Sequence, residues 1–371
     1  MRFDTLAVHA GAAPDAETGA LAPPIHLSTT FEHAPDNSST GFTYQREDNP
    51  TQARLESALA ALDGGARALF FATGMAAGAA ALQALPPGSH VLFQDDLYHG
   101  YRSLARDYLP RWGLSASTVD TTDADAVRAA LRPETRLVWA ESPSNPLLKI
   151  VDIAAIAGIA HAAGAQLLVD GIFAPPCVQQ PLELGADIVL HSATKYLGGH
   201  SDVMGGALVF RSEDSLAAAA HEARSLIGHN ASPFAAWLIL RGLRSLTARM
   251  ERHERNARAV AEFLAMHPNV EAVHYPGLTS HPQHAVAARQ MRGFGGMMSL
   301  RVRGGRDAAI AAAGKMKIFT NATSLGGCES LVEHRASVEG AHPVSPPNLL
   351  RLSIGLEDAA DLVDDLRRAL T

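Results

Sequence analysis

Short apolar runs alternate along the chain with alanine-rich segments of helical period. Residues 74–84, 123–131 and 151–163 have the spacing of amphipathic helices, and they lie between the apolar runs. Because strands that alternate with helices form parallel sheets covered on both faces, the pattern predicts a mainly parallel α/β sheet. The runs that we interpret as buried strands are 68–72, 91–94, 137–141, 167–170, 188–191 and 207–210.

The two ends of the chain have a different pattern. The first 50 residues are rich in Pro, Gly, Thr and Ser and predict an extended arm. A helix should follow, with Leu55, Leu59 and Leu62 on one face and Thr51 as its cap. After residue 233 the pattern predicts one long helix, a strand at GGMMSLRVRG and a terminal amphipathic helix. The predicted units are an arm (1–50), an α/β domain (51–233) and a smaller C-terminal α+β domain (234–371).

Composition narrows the classes of function. The 371 residues are 47% hydrophobic and 19% charged, which is typical of a globular protein. A net charge of −7 argues against a nucleic-acid partner, and no apolar run is long enough for a membrane span or a signal peptide. The only cysteines, Cys177 and Cys328, lie far apart without a zinc-site spacing, so we expect no disulfide framework and a cytoplasmic location.

Polar residues follow five of the predicted strands. In an open parallel sheet the ligand binds at the carboxyl ends of the strands, so these residues should meet around one site. They are TGM after residue 72, DDLYHG after 94, SPSN after 141, Asp170, and SATK after 191.

The spacing of Ser192 and Lys195 is compatible with two chemistries. Serine-acylating enzymes of the S-x-x-K type also carry S-D-N and K-T-G motifs. This chain has SDV and no K-T-G, and a glycine pair follows Lys195 where that helix should continue. A lysine at a partly buried strand end can instead supply a neutral amine that attacks a carbonyl. The residues therefore favour Lys195 as the reactive group.

An amine of this kind needs a cofactor that accepts electrons, such as pyridoxal 5'-phosphate (PLP). Asp170 closes a predicted strand 25 residues before Lys195 and could pair with a protonated ring nitrogen. The helix that starts near Gly74 offers backbone N–H groups to a phosphate, with Thr73 at the turn. Ser192 and Thr194 could add donors.

Several longer motifs resemble the transsulfuration (Cys/Met metabolism) family of PLP enzymes, the cystathionine gamma-synthases and gamma-lyases among them. The resemblance spans the chain from FDTLAVHAG to the last helix. It implies the aspartate-aminotransferase-like fold (PLP fold type I), with a mainly parallel seven-stranded sheet, and a homotetramer of two tight dimers. The motifs are YQREDNPT, ATGMAA, ESPSNPLLKIVDI, SATKYLGGHSDVMGG, SLGGCESLVEH and LLRLSIGLED.

The resemblance also implies a role for individual residues. Lys195 bonds to the cofactor aldehyde and acts as a catalytic acid and base together with Tyr98, which also stacks on the cofactor ring. The substrate is bound by Asn145, Ser324 and Arg351, with Ser324 also orienting the lysine. The residues implied to bind PLP are Lys195, Asp170, Gly74, Met75, Tyr98, Ser192, Thr194, and Tyr44 and Arg46 from a neighbouring subunit.

The implied activity is γ-elimination or γ-replacement on a sulfur-containing or O-activated homoserine amino acid, a small-molecule substrate. Three alternatives stay open: β-elimination, γ-elimination of a substrate other than cystathionine, and PLP-dependent transamination. A catalytically silent PLP-binding protein is disfavoured because the lysine, Asp170, Tyr98 and Arg351 are all retained. We expect no metal site, since the histidines near Lys195 lack a ligand spacing.

The chain departs from the family pattern around the expected pocket. It has YHGY at 98–101 where relatives usually have YGGT, and RASVEG from residue 335 where they typically have PASMTHA. Thr323 stands where gamma-lyases often carry Glu and beta-lyases an aromatic residue. These departures, with the altered 334–347 segment, leave the exact substrate open.

Overall fold

The computed structural model describes residues 1–340 and 343–371. The altered 334–347 segment thus includes two residues, 341 and 342, that lie outside the described part. The helices described are α1 (Phe3–His9), α2 (Pro50–Asp63), α3 (Gly74–Gln83), α4 (His99–Asp107), α5 (Ala124–Ala130), α6 (Ile153–Ala162), α7 (Ser215–Ile227), α8 (Pro233–Leu243), α9 (Leu246–Ala265), α10 (His284–Gln290), α11 (Gly305–Lys315), α12 (Arg335–Val338) and α13 (Ala359–Ala369). The strands are β1 (Arg67–Phe71), β2 (His90–Gln94), β3 (Ser115–Val119), β4 (Thr135–Glu141), β5 (Gln166–Asp170), β6 (Ile188–His191), β7 (Gly206–Phe210), β8 (Val270–His274), β9 (Met297–Val302), β10 (Thr320–Asn321), β11 (Leu331–His334) and β12 (Leu349–Ser353).

The larger sheet has seven strands in the order β1-β7-β6-β5-β4-β2-β3. Only β7 runs against its neighbours, since it pairs antiparallel with both β1 and β6. All the other pairs are parallel, so the carboxyl ends of β4, β5 and β6 lie at one edge. The expected mainly parallel seven-stranded α/β sheet is confirmed.

Consecutive residues of the central strands belong to different cores. Val138 packs into one apolar cluster and Trp139 into the other, and the same alternation separates Leu167 from Leu168. Because successive side chains of a strand point to opposite faces, the sheet must be covered by helices on both sides. This arrangement explains why the strands read as continuous apolar runs.

A second sheet follows in the chain, with five strands in the order β10-β11-β12-β9-β8. It is antiparallel apart from the β10–β11 pair, and its core includes Leu300, Leu352 and Leu366 of α13. Its strands all lie after residue 233, where α8 begins, but the division into three units stays a prediction. Among the described residues, no helix has the length and apolarity required to cross a membrane.

Two predictions about the N-terminal part are wrong. The arm is not wholly extended, because Phe3–His9 forms α1. This helix buries Ala7 in the apolar cluster that contains Val138. The cap of α2 is Asn49, not Thr51: the Asn49 side chain accepts a hydrogen bond from the Thr51 backbone N–H at 2.9 Å. Pro50 then occupies the first turn of α2. A backbone N–H at this position has no acceptor within the helix, so the N–H that proline lacks costs no hydrogen bond.

The sequence pattern also missed a strand and a break between two helices. Strand β3, SASTV, lies at the sheet edge with mostly exposed polar residues, so it has no apolar signal. The expected long helix after residue 233 is two helices, α8 and α9, that meet near Gly242. A Cβ on Gly242 would lie 2.4 Å from the Leu197 carbonyl oxygen, so the junction packs directly on the loop after Lys195.

Candidate active site

A cavity of about 380 Å³ opens at the carboxyl edge of the large sheet. It is lined from several elements, among them the start of α3, the loop after β6 and strand β12. The edge where the sequence placed the ligand is therefore the edge that carries the cavity. The predicted site residues that line it are Gly74, Met75, Tyr98, Asn145, Ser192, Thr194, Lys195, Ser324 and Arg351.

Lys195 follows β6 and points its amine at the second domain. Its Nζ donates a hydrogen bond to Ser324 Oγ at 2.6 Å. Burial, and then the positive charge of Arg351, lower the pKa of Lys195 to about 8. The amine is therefore much closer to neutrality at physiological pH than a solvated lysine. Because its side-chain partner is Ser324, the serine-acylation interpretation of Ser192 and Lys195 gains no support.

The loop that carries Lys195 is held from beneath by Arg249 of α9. Its Nη1 donates to the Tyr196 carbonyl at 2.8 Å, and its Nη2 donates to the Gly242 carbonyl at 2.8 Å. The guanidinium is buried, so these bonds act in a low-dielectric environment where they are strong. The loop after β6 is thus fixed to the α8–α9 junction.

Asp170 ends β5 and is fully buried behind the cavity wall rather than lining it. Its Oδ1 accepts a hydrogen bond from the Ile172 N–H at 3.1 Å, whereas Oδ2 has no partner within the described residues. Burial raises the pKa of Asp170 to about 7. A buried acceptor without a partner costs free energy, which a protonated ring nitrogen reaching this carboxylate would offset. Asp170 therefore fits the pyridine end of PLP.

The start of α3 forms a cradle suited to an anion. Thr73 caps the helix by accepting a hydrogen bond from the Ala76 N–H at 3.0 Å. A Cβ on Gly74 would lie 2.9 Å from Ser192 Cβ, so only glycine allows the helix end to approach the loop after β6 this closely. Tyr101 fixes this end, since its hydroxyl donates to the Gly74 carbonyl at 2.7 Å. The free N–H groups and the hydroxyl of Ser192 fit a phosphate.

Arg351 lies on β12, buried at the opposite wall. Its Nη1 donates to Asn145 Oδ1 at 3.1 Å, and its Nη2 donates to the Ser324 carbonyl at 3.0 Å. Nη2 also lies 2.8 Å from Oε2 of Glu333, which faces Arg351 across the β11–β12 pair. Burial lowers the pKa of Arg351 to about 10, so the group remains cationic at neutral pH. A guanidinium in this position can bind a carboxylate with two parallel hydrogen bonds.

Tyr98 lines the cavity next to the start of α4. Its backbone N–H donates to Glu141 Oε2 at 2.8 Å, and its ring centroid is 4.6 Å from that of His99. Burial raises the pKa of the Tyr98 hydroxyl, so this group holds its proton at neutral pH. Glu141 ends β4 beside Asp170, and burial followed by the charge of Asp170 raises its pKa strongly.

Tyr44 and Arg46 do not line the cavity of their own chain. The Tyr44 side chain is 44% exposed, and Arg46 lies 5.7 Å from the centroid of the Tyr44 ring. Arg46 also donates to the Ser225 carbonyl. The structure thus places this pair on the surface of the arm, and its predicted contact with a neighbouring subunit stays a prediction.

His191, at the end of β6, is paired with a carboxylate. His191 is buried, and its Nε2 lies 2.9 Å from Asp63 Oδ2. Within residues 1–340 and 343–371, no group of three or more His, Cys, Asp or Glu side chains could hold a metal ion. Both Cys177 and Cys328 are free thiols.

The sequence assigned no role to four residues of the site: Tyr101, Glu141, Glu333 and Arg335. A signal existed for Glu141, which closes a predicted strand at the ligand edge. Tyr101 and Glu333 act through neighbours that only the fold brings together. Arg335 lines the cavity, and it opens the altered segment that the sequence placed at the pocket, but no role was assigned to it there.

Comparison with known proteins assigns the family. The model of the Cys/Met metabolism PLP-dependent enzymes matches residues 4–371. Cystathionine gamma-synthase of Mycobacterium tuberculosis is 51% identical, with 99% of this chain and 96% of the relative covered. Cystathionine gamma-lyase of Bacillus subtilis is 41% identical over 100% of this chain and 99% of the relative. The solved structure of CalE6, a methionine gamma lyase from Micromonospora echinospora, is 43% identical, with a TM-score of 0.94 over 100% of this chain and 99% of the other. The chain belongs to the Cys/Met metabolism family of PLP-dependent enzymes, as its motifs indicated.

Proposed function

We propose that the protein removes or replaces the γ-substituent of a sulfur-containing or O-activated homoserine amino acid. Family membership makes it a PLP-dependent enzyme that acts on a small amino-acid substrate. The relatives named above are a gamma-synthase, a gamma-lyase and a methionine gamma lyase, so all three act at the γ position. These names favour γ chemistry, and a cystathionine beta-lyase of Coxiella burnetii, 44% identical over 99% of this chain, keeps β-elimination as the second candidate.

One observation carries the proposal: a lysine amine of lowered pKa and a buried arginine line one cavity. Behind the wall of that cavity, the buried Asp170 has one carboxylate oxygen without a partner among the described residues. Asp170 would hold the ring nitrogen of PLP, and Gly74, Met75, Ser192 and Thr194 its phosphate. PLP supplies the electron sink that makes protons on the substrate α and β carbons acidic. The remaining tasks fall to side chains of this chain.

The first task is orientation of the substrate. Arg351 and Asn145 would bind its carboxylate, and Ser324 would hold Lys195 Nζ in line with the α carbon through the 2.6 Å hydrogen bond. Lys195 Nζ is then the base that takes the α proton. The Tyr98 hydroxyl keeps its proton at neutral pH and can donate it to a departing γ group.

A substrate panel tests the proposal. The holoenzyme is supplied with cystathionine, homocysteine, methionine, cysteine, O-acetylhomoserine and O-succinylhomoserine, with and without an added thiol. We expect 2-oxobutanoate and ammonia from elimination, or a thioether from replacement. Pyruvate as the main product would indicate β-elimination instead, and keto-acid dependence without ammonia would indicate transamination. Lys195→Ala is the inactive control.

We also propose a cytoplasmic homotetramer in which Tyr44 and Arg46 complete the site of a neighbouring subunit. The exposed arm supports this assembly, because the pair lies outside its own cavity. The free thiols support a reducing compartment. Mixed oligomers of Arg46→Ala and Lys195→Ala subunits test the shared site, since one site in a mixed pair would contain both intact residues. Recovery of activity over the separate variants is expected, and its absence would contradict the shared site.

A further inference from the structure

A second buried arginine, Arg335, lines the same cavity as Arg351. It opens the short helix α12 directly after β11, and its side chain is 2% exposed. Glu333 links the two arginines: its Oε2 lies 2.5 Å from Arg335 Nη1 and 2.8 Å from Arg351 Nη2. One carboxylate oxygen therefore holds two guanidinium groups side by side at one wall of the cavity.

The hydrogen-bond donors of Arg335 are only partly used. A guanidinium has five N–H donors, and Arg335 gives one hydrogen bond, to Glu333. In the described part of the chain, its Nε and Nη2 have no hydrogen-bond partner. Buried donors of a charged group are costly to leave unpaired. A ligand with acceptor oxygens in the cavity would satisfy them.

The other acid near Arg335 is already engaged. Glu339 accepts hydrogen bonds from the Val344 and Ser345 N–H groups and from the Ser345 hydroxyl, at 2.8, 3.0 and 2.6 Å. Its Oε1 lies 3.4 Å from Arg102 and 3.6 Å from Arg335, both beyond good hydrogen-bond length. Glu339 therefore holds its own loop and leaves the free edge of Arg335 for another anion.

The charges that face this wall also favour an anion. Arg335, Arg351 and Lys195 line the cavity as cationic or partly cationic groups. Glu333 supplies one negative charge between the two arginines and Glu339 supplies a second, 3.6 Å from Arg335, whereas Glu141 is held towards its neutral form by burial. Since the phosphate cradle lies at Gly74 and Ser192, Arg335 is not needed there.

We propose that Arg335 binds a carboxylate of the amino-acid substrate, as a second anion-binding residue beside Arg351. This inference rests on the proposed function of the site. The carboxylate has two sources: the α-carboxylate, shared with Arg351, or a carboxylate in the side chain of the substrate. Both sources use the same guanidinium donors, and ligand pairs separate them.

The test uses two unreactive amino acids of equal chain length, norleucine and 2-aminoadipate. They differ by a terminal carboxylate, and neither has a γ leaving group, so binding is measured without turnover. Binding to the holoenzyme is followed by the change in cofactor absorption for the wild type, Arg335→Gln and Arg102→Gln. Arg102→Gln is the matched control, because it breaks a contact to Glu339 without removing a cation from the cavity. Circular dichroism checks that each variant is folded, and Arg335→Lys should recover part of the affinity.

Loss of a charged hydrogen-bonding partner should weaken binding by roughly tenfold or more. Equal weakening of both ligands in Arg335→Gln supports the α-carboxylate as the source, and weakening of 2-aminoadipate alone supports a side-chain carboxylate. The proposal is overturned if neither ligand is weakened, if Arg102→Gln causes the same loss, or if the folded wild-type holoenzyme binds neither ligand. Failure of the substrate panel with normal ligand binding would contradict the proposed function and not this inference.

Discussion

The lowered pKa of Lys195 makes a quantitative prediction about cofactor attachment. Only the neutral amine attacks an aldehyde, and it exists above the pKa of the group. A pKa of about 8 in place of 10.5 raises the neutral fraction near pH 7 roughly 300-fold. Attachment of PLP to Lys195 in the apoenzyme should therefore speed up with pH through about 8 and level off above it.

Lys149 is the internal control for this prediction. Its Nζ lies 3.0 Å from both Asp95 and Asp120, and these partners raise its pKa above the ordinary value. The apoenzyme is mixed with PLP for short times across the pH range and reduced with borohydride, and the modified peptides are quantified by mass spectrometry. Modification of Lys149 should still be rising at pH 10, where that of Lys195 has levelled off.

The cause of the shift can be tested in the same assay. Burial is the largest cause, and the charge of Arg351 is the next. Arg351→Gln removes a positive charge that disfavours the ammonium form, so the midpoint for Lys195 should move to higher pH. Glu333→Gln removes a negative charge that favours it, so the midpoint should move to lower pH. A Lys195 profile that matches that of Lys149 would refute the reasoning. So would a midpoint that moves to lower pH in Arg351→Gln or to higher pH in Glu333→Gln.

Three further predictions concern the cofactor and the fold. Asp170→Asn should weaken PLP retention on dialysis by roughly tenfold or more, because a charged hydrogen bond to the ring nitrogen is lost; unchanged retention would contradict its role. Gly74→Ala should also weaken PLP retention, since the new Cβ would lie 2.9 Å from Ser192 Cβ. Gly158→Ala on α6 is the control, because its new Cβ would meet no neighbouring described atom within 4 Å, and it should retain PLP normally. Equal effects of the two substitutions would contradict the phosphate cradle at Gly74. Asn49→Ala should lower the free energy of unfolding by at least about 1 kcal/mol in denaturant titration, since the α2 cap and the Nδ2 hydrogen bond to the His26 carbonyl are both lost; an unchanged free energy of unfolding would contradict the cap.

The sheet and its ligand edge were predictable because burial leaves a clear signal. Strands β4, β5 and β6 are covered on both faces, so their residues read as continuous apolar runs that end at Glu141, Asp170 and His191. The polar residues after these runs had to meet at one edge. By contrast β3 lies at the sheet edge and is polar, so nothing in its residues distinguished it from a loop.

The second wall of the site was predictable only from the family resemblance. Arg351 on β12 and Ser324 in the loop between β10 and β11 lie more than 120 residues after Lys195, and no periodicity indicates that they face it. Arg335 was missed for a related reason, because its position depends on the pairing of β11 with β12. Contacts between residues that lie far apart in the chain depend on tertiary geometry, which local sequence patterns do not encode.

The most direct test of the central claim compares the cofactor absorption of the purified wild type, Lys195→Ala and Lys149→Ala. We predict that the band of the lysine-bound cofactor is present in the wild type and in Lys149→Ala, and absent in a folded Lys195→Ala protein. A folded Lys195→Ala protein that keeps the band and full turnover would contradict the assignment of Lys195 as the cofactor-binding amine.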